Sequence, residues 1–227
     1  MEKIKKAFGF TSLAVLILLL LYVKYAYDRG LELWPVKTKL TNEEVRIERK
    51  IKIPEGETKE FIEPAFLVGL SQTSTETPKD VVEELEEGNY GRVWYERVKL
   101  NEDGTLSMTV TGKQLEHWLS TREDDLNSRI KKNKEKGMEI KIDKDYTKVT
   151  YTLKKGCEKS SLEWLMDAQV ILGSLFEAQV FTGVSPEDCR VREVVKRESD
   201  GMVLIDAVSP GASYEITDAE WYGEEKE

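Results

Sequence analysis

Seventeen consecutive uncharged and mostly apolar residues, Ala7 to Val23 (AFGFTSLAVLILLLLYV), precede a long stretch in which apolar positions alternate with charge or recur at helical spacing. A helix rises about 1.5 Å per residue, so a run of roughly 17 to 25 such residues crosses the ~30 Å hydrocarbon core of a bilayer. Lys24 ends the run with a stem long enough to snorkel to the headgroups, and Tyr22, Tyr25 and Tyr27 stand where an interfacial aromatic belt lies. The pattern predicts one membrane-spanning helix over 7–27, a short cytoplasmic tail over 1–6 and a juxtamembrane linker over 28–42. An α+β ectodomain over 43–212 and an acidic C-terminal tail over 213–227 follow.

Beyond the linker the period becomes two. Val45, Ile47, Ile51 and Ile53 alternate with charged residues in VRIERKIKI, the pattern of a half-buried strand, and Pro54-Glu55-Gly56 ends it. Phe61 to Leu70 is apolar but interrupted by Pro64 and Gly69, and is consistent with either a strand or a packed loop. SQTSTETP (71–78) reads as a polar loop, and Pro78 as the start of a short helix with Val81, Val82 and Leu85 inward. From Gly91 a plan repeats. RVWYERVKL and TLSMTV flank an Asn101-Glu102-Asp103-Gly104 turn, and a helix follows over about Lys113 to Lys134 with Leu115, Trp118, Leu119, Leu126 and Ile130 on one side. MEIKID and YTKVTYTLK flank an Asp143-Lys144-Asp145 turn, and a second helix runs from about Ser160 to Phe181. RVREVVKR and MVLIDAV then flank Glu198-Ser199-Asp200-Gly201. The order from residue 91 is ββα-ββα-ββ, which predicts a mostly antiparallel sheet with two long helices on one face. The second helix, apolar over more than half its circumference, is expected at the centre of the core. The tail from Ser213 is expected to fray unless Trp221 and Tyr222 dock.

Charge refines the picture. The chain has 227 residues and a net charge of −9; residues 1–27 hold four lysines against Glu2, a net +3, so the remainder carries −12. An acidic domain is repelled by anionic lipid and by nucleic acid, so the bilayer is a partner only through residues 7–27 and no nucleic-acid partner is expected. The lysines at 3, 5 and 6 bias the N-terminus to the cytoplasmic side and the domain to the outside. Signal-peptide cleavage needs small residues at −1 and −3, but cutting after Ala26 places Lys24 at −3 and cutting after Gly30 places Asp28 there. No cysteine stands at the end of the apolar run for lipoprotein processing, so the segment reads as a signal-anchor.

Candidate chemistry is sparse. His117, the single histidine, sits beside Trp118 in LEHWLS and has neither a second histidine for a metal site nor a G-x-S-x-G nucleophile turn to serve. The NEDGT and DKDY stretches offer oxygen ligands but lack the twelve-residue calcium-loop spacing, and read as hairpin turns. Glu123-Asp124-Asp125 reads as a solvated helix face. No phosphate-binding glycine motif occurs. A serine–lysine dyad stays open because both residues are abundant. No catalytic, cofactor-binding or metal-ligating residue is nominated, and no cofactor.

Cys157 and Cys189 flank the second helix. That helix is about 33 Å long. The segment after Phe181 returns at most about 27 Å and the lead from Cys157 adds about 10 Å, both fully extended. Disulfide Cα atoms must approach to about 5.5 Å. Closure demands two taut segments or a broken helix, so the cysteines are expected to be unpaired with each other and near opposite helix ends.

The segments KLNEDGTLSMTVTGKQLEHWL, YTKVTYTLKKG and LEWLMDAQVILGSLFEAQVFTGV, with the final hairpin, resemble membrane-anchored or secreted proteins of Gram-positive bacteria to which no activity is attached. The resemblance covers about half the chain, rests on turn and helix patterns, and transfers no functional residue. Those proteins usually carry a lipoprotein cysteine or signal peptide, where this chain has its apolar helix. The expectation is a single-pass envelope protein, not an enzyme, whose α+β domain binds a protein or an envelope component. Two other readings stand beside it: an envelope-associated hydrolase with a desolvated acid or serine in a pocket, and an inverted topology with a cytoplasmic scaffolding domain.

Overall fold

The computed structural model describes residues 44–71 and 77–223. The expected membrane helix over 7–27, the tail over 1–6, the linker over 28–42 and most of the 71–78 loop lie outside the described residues. Among the described residues no helix is long and apolar enough to cross a membrane. The chain runs β1 (Thr58–Glu63), α1 (Ala65–Ser71), α2 (Pro78–Gly88), β2 (Arg97–Leu100), β3 (Leu106–Thr111), α3 (Gly112–Glu135), β4 (Met138–Ile142), β5 (Lys148–Leu153), α4 (Ser161–Thr182), β6 (Val191–Arg197), β7 (Val203–Ser209) and α5 (Asp218–Tyr222). The fold is α+β, and the ββα-ββα-ββ order from residue 91 is present.

The expected single, mostly antiparallel sheet is in fact two sheets. One has the order β1-β3-β2, antiparallel throughout; the other has the order β4-β5-β6-β7, in which β5 and β6 run parallel. Length explains the division. Helix α3 carries the chain about 36 Å at 1.5 Å per residue, so β4 begins at its far end, away from β3. Helix α4 is the crossover that a parallel β5–β6 pair requires. The two helices pack on each other and bind the sheets into one body: α3 lies on β3 and β4, α4 on β1 and β6.

Local signals set the boundaries. Helices α2, α3, α4 and α5 each open with a reciprocal capping box, Thr77 with Asp80, Thr111 with Gln114, Ser160 with Glu163 and Thr217 with Glu220. Helix α4 stops at Gly183, whose φ of 98° a side chain would resist. As expected, α4 is the central core helix: Trp164, Ile171, Leu175, Phe176 and Phe181 are buried. The apolar circumference is not all buried: Leu162, Met166 and Val170 form an exposed stripe.

Three more expectations need correction. RVWYERVKL is a strand only from Arg97, because residues 90–92 form a 3₁₀ turn with Gly91 at positive φ. Phe61 to Leu70 divides at Pro64 into the end of β1 and α1. The C-terminal segment packs rather than frays as far as it is described. Trp221 is buried with its indole N–H donating to the Lys159 carbonyl at 2.7 Å, while Tyr222 stays exposed.

Cys157 and Cys189 are both free thiols, as the helix length demanded. Cys189 is buried and Cys157 partly so, and burial pushes both above the ordinary thiol value, Cys189 to about 11. Alkylation of the native protein without reductant should therefore label Cys157 slowly and Cys189 only after unfolding. Intact mass should show two free thiols; a Cys157–Cys189 linked peptide would contradict this geometry.

Candidate functional site

Residues 45–53, the VRIERKIKI segment, have the alternation of a strand but join no sheet. The segment is a strap laid along α3, and helix side chains stand in for a neighbouring strand. The Val45 N–H donates to Asn127 Oδ1 at 2.8 Å, and Asn127 Nδ2 donates to the Val45 carbonyl at 3.0 Å. The Ile47 N–H donates to Glu123 Oε1 at 2.6 Å. The Tyr146 hydroxyl accepts from the Glu48 N–H at 2.9 Å and donates to the Arg46 carbonyl at 3.0 Å. Arg49 bridges Glu116 at 2.8 Å and also Glu123; its hydrogen bond to Glu116 is the chief cause that raises its own pKa and lowers that of Glu116. Ile47 is buried, and Ile51 and Ile53 pack at the core's edge. At the helix start, a Cβ on Gly112 would stand 2.8 Å from the Ile53 carbonyl oxygen, so the absent side chain lets the strap pass.

Between the strap and β4 lies a groove of about 660 Å³. Val45 and Arg46 form one wall, Ile140, Lys141 and Ile142 the other, and Ile130 and Lys134 of α3 the floor. Among the described residues β4 is an end strand of its sheet. The N–H of Asp143 bonds the Lys148 carbonyl, and the Gly137 carbonyl accepts from Lys154. Antiparallel ladders alternate, so residues 137, 139, 141 and 143 turn their backbone groups toward β5, whereas 138, 140 and 142 turn theirs to the open edge. The charges around the groove differ in how they are engaged. Glu139 is held by Lys141 at 3.2 Å and Lys154 at 3.1 Å, and Asp143 caps its own turn through Thr147 and the Lys148 N–H. Arg46 and Lys144, both exposed, have no acidic partner among the described residues, and Glu44, also on the lining, has a buried Oε2 that accepts no hydrogen bond there. Two smaller clefts, of about 560 and 360 Å³, also border the strap.

Buried acids lie elsewhere. Glu63, at the end of β1, is buried near the Arg122–Glu177 ion pair; burial and then the Glu177 charge, only partly offset by Arg122, push it to about 8. Arg122 also lies 5.1 Å over the Trp118 ring. Glu193 is buried between β5 and β7, raised by burial against hydrogen bonds from Tyr214 and from Ser209 at 2.9 Å. Glu63, Glu177 and Glu193 line none of the three clefts. His117 rests on Trp94 with ring centroids 4.3 Å apart. The turn carboxylates are occupied locally, Asp103 by Thr105 and Asp143 by Thr147. Buried Lys159 pairs with Asp167, not with a serine.

Sequence reasoning nominated no site residue and missed the strap's partners. Glu123, read as part of a solvated charge run, grips the Ile47 N–H and Arg49. The signal was available as a stripe: Glu116, Glu123, Asn127, Ile130 and Lys134 recur at three-, four- and seven-residue spacing along one face of α3. Compared with family models, curated proteins and solved structures, the chain matches none.

Two outcomes follow. A carboxyl whose folded pKa is raised from 4.5 to about 8 contributes no penalty below pH 4.5, and stability is lost as pH rises through that interval. Glu63→Gln should therefore raise the melting temperature at pH 9 more than at pH 5 and flatten the profile between them; equal shifts at both would refute the buried acid. Asn127→Ala leaves the Val45 N–H and C=O without their partner and should cost about 1–3 kcal/mol. Hydrogen exchange at residues 44–49 should accelerate well before that of β5 and β6.

Proposed function

We propose that this is a single-pass membrane-anchored envelope protein, N-terminus cytoplasmic, whose extracytoplasmic domain binds a protein or an envelope component. The anchor reading rests on Ala7 to Val23, the lysines before it and the aromatic residues after it. The binding reading rests chiefly on the groove: a strand edge unpaired among the described residues and two exposed cations against the one unengaged carboxylate of Glu44, on a chain that carries −12 beyond residue 27. The groove also lies where the described residues begin, with Glu44, Val45 and Arg46 on its lining. A raised-pKa acid such as Glu63 suits a hydrolase only if substrate reaches it, and it borders none of the three clefts described above.

The full chain should resist alkaline carbonate extraction from membranes, and its domain should be digested by protease added outside spheroplasts. Chemical cross-linking followed by mild detergent extraction should recover a specific partner. Release by carbonate would remove the anchor, protection until lysis would invert the topology, and recovery of no partner would count against binding.

A further inference from the structure

We infer that the groove between the strap and β4 receives an extended acidic peptide, which adds to the second sheet as a strand beyond β4. This inference rests on the binding reading above and names the occupant of its groove.

The main chain argues for a peptide. Ile140 and Ile142 turn N–H and C=O groups to the open edge at a two-residue repeat, and another extended backbone satisfies that repeat. The strap does not pair with this edge: the Val45 N–H and C=O, the Arg46 C=O and the Ile47 and Glu48 N–H groups are taken by Asn127, Tyr146 and Glu123, and the Ile47 and Glu48 carbonyls accept from Arg49 and the Lys50 N–H. β4 has five residues, an edge about 17 Å long at roughly 3.3 Å per residue. Edge strands are commonly blunted by proline, bulges or inward charge. β4 has no proline, pairs with β5 in unbroken register, and its inward positions are Met138 and Ile140.

Charge argues for acidity. Glu139 and Asp143 are engaged within the domain, and the unengaged charges left on the lining are Arg46 and Lys144, both exposed, against the single carboxylate of Glu44, whose Oε2 is buried. Pleating sets the pattern: one face of an added strand lies toward Ile130, where apolar residues suit, and the other lies toward the cations, where carboxylates suit. A short segment alternating branched apolar residues with glutamate or aspartate meets both demands.

The test uses the full chain in detergent and three fluorescein-labelled heptapeptides read by anisotropy. They are an alternating valine–glutamate peptide, its valine–lysine counterpart, and the acidic peptide N-methylated at alternate residues on its pairing edge. The acidic peptide should bind at least tenfold more tightly than the other two and should slow amide exchange at Ile140 and Ile142. The doubly substituted Arg46→Glu/Lys144→Glu protein, changed only at exposed positions, should lose at least tenfold in affinity with an unaltered melting temperature. Equal binding of acidic and basic peptides, undiminished binding after N-methylation, or no binding by the wild type would each overturn the inference. Cross-linking separates it from the broader reading. A partner captured equally by wild type and the double variant would refute the groove while leaving binding intact, whereas capture of nothing by the wild type would count against binding itself.

Discussion

The contact between α3 and α4 holds the molecule together. Neither sheet has a face large enough to close a core alone, and the strands of one do not pair with those of the other. Leu119, Leu126, Ile171 and Leu175 of the two helices lie in one core, each almost wholly removed from water, and the Trp118 ring of α3 meets the Phe181 ring of α4 with centroids 5.4 Å apart. At some 25 cal/mol per Å² of apolar surface, such side chains contribute about 1.5–3 kcal/mol each. Polar cross-links fix the rotation of one helix about the other. Arg122 reaches Glu177, and Asp167 gathers Arg129 at 2.7 Å, Asn133 at 3.0 Å and Lys159. Burial raises the Asp167 pKa, but the Lys159 and Asn133 hydrogen bonds outweigh it and the carboxylate stays ionised.

With the helix pair fixed, one face of α3 is left uncovered by α4, and the strap occupies it. An extended backbone needs a partner for its N–H and C=O groups wherever water is excluded. Here the partners are an amide, a carboxylate and a phenol projecting from neighbouring elements, so the segment is fixed without joining a ladder. That arrangement engages most of the strap's hydrogen-bonding groups and, among the described residues, leaves the outer groups of β4 unpaired. The groove is a consequence of how the strap is held.

The acids divide by environment. Those at turns and helix starts, such as Asp103, Glu163 and Asp200, are held below the ordinary carboxylate value by hydrogen bonds, aided by Lys136 at Glu163 and Arg197 at Asp200, and they favour the folded state at neutral pH. Those inside, Glu63 and Glu193, are raised by burial and oppose folding once ionised. A strongly acidic chain thus remains folded with most of its charge on the surface, where water and salt screen it.

The hairpin turns, the helix starts and the separation of the two cysteines follow from the sequence, because each depends on a few adjacent residues. Gly104 and Gly201 supply positive φ where turns need it, Thr111 and Ser160 sit three residues before Gln114 and Glu163, and 22 helical residues hold the cysteines apart. The two-sheet division, the parallel β5–β6 pair and the strap depend on where a helix delivers the next strand and on which backbone groups remain unpaired there. Val45 to Ile53 shows the limit most clearly. Its alternation determines that one side is buried, but whether a strand or a helix covers that side is decided by Asn127 and Tyr146, 82 and 98 residues away from the groups they bind. Glu123 is likewise indistinguishable from its solvated neighbours until the fold brings Ile47 against it, because a side chain's partner is a property of three-dimensional proximity that local sequence does not carry.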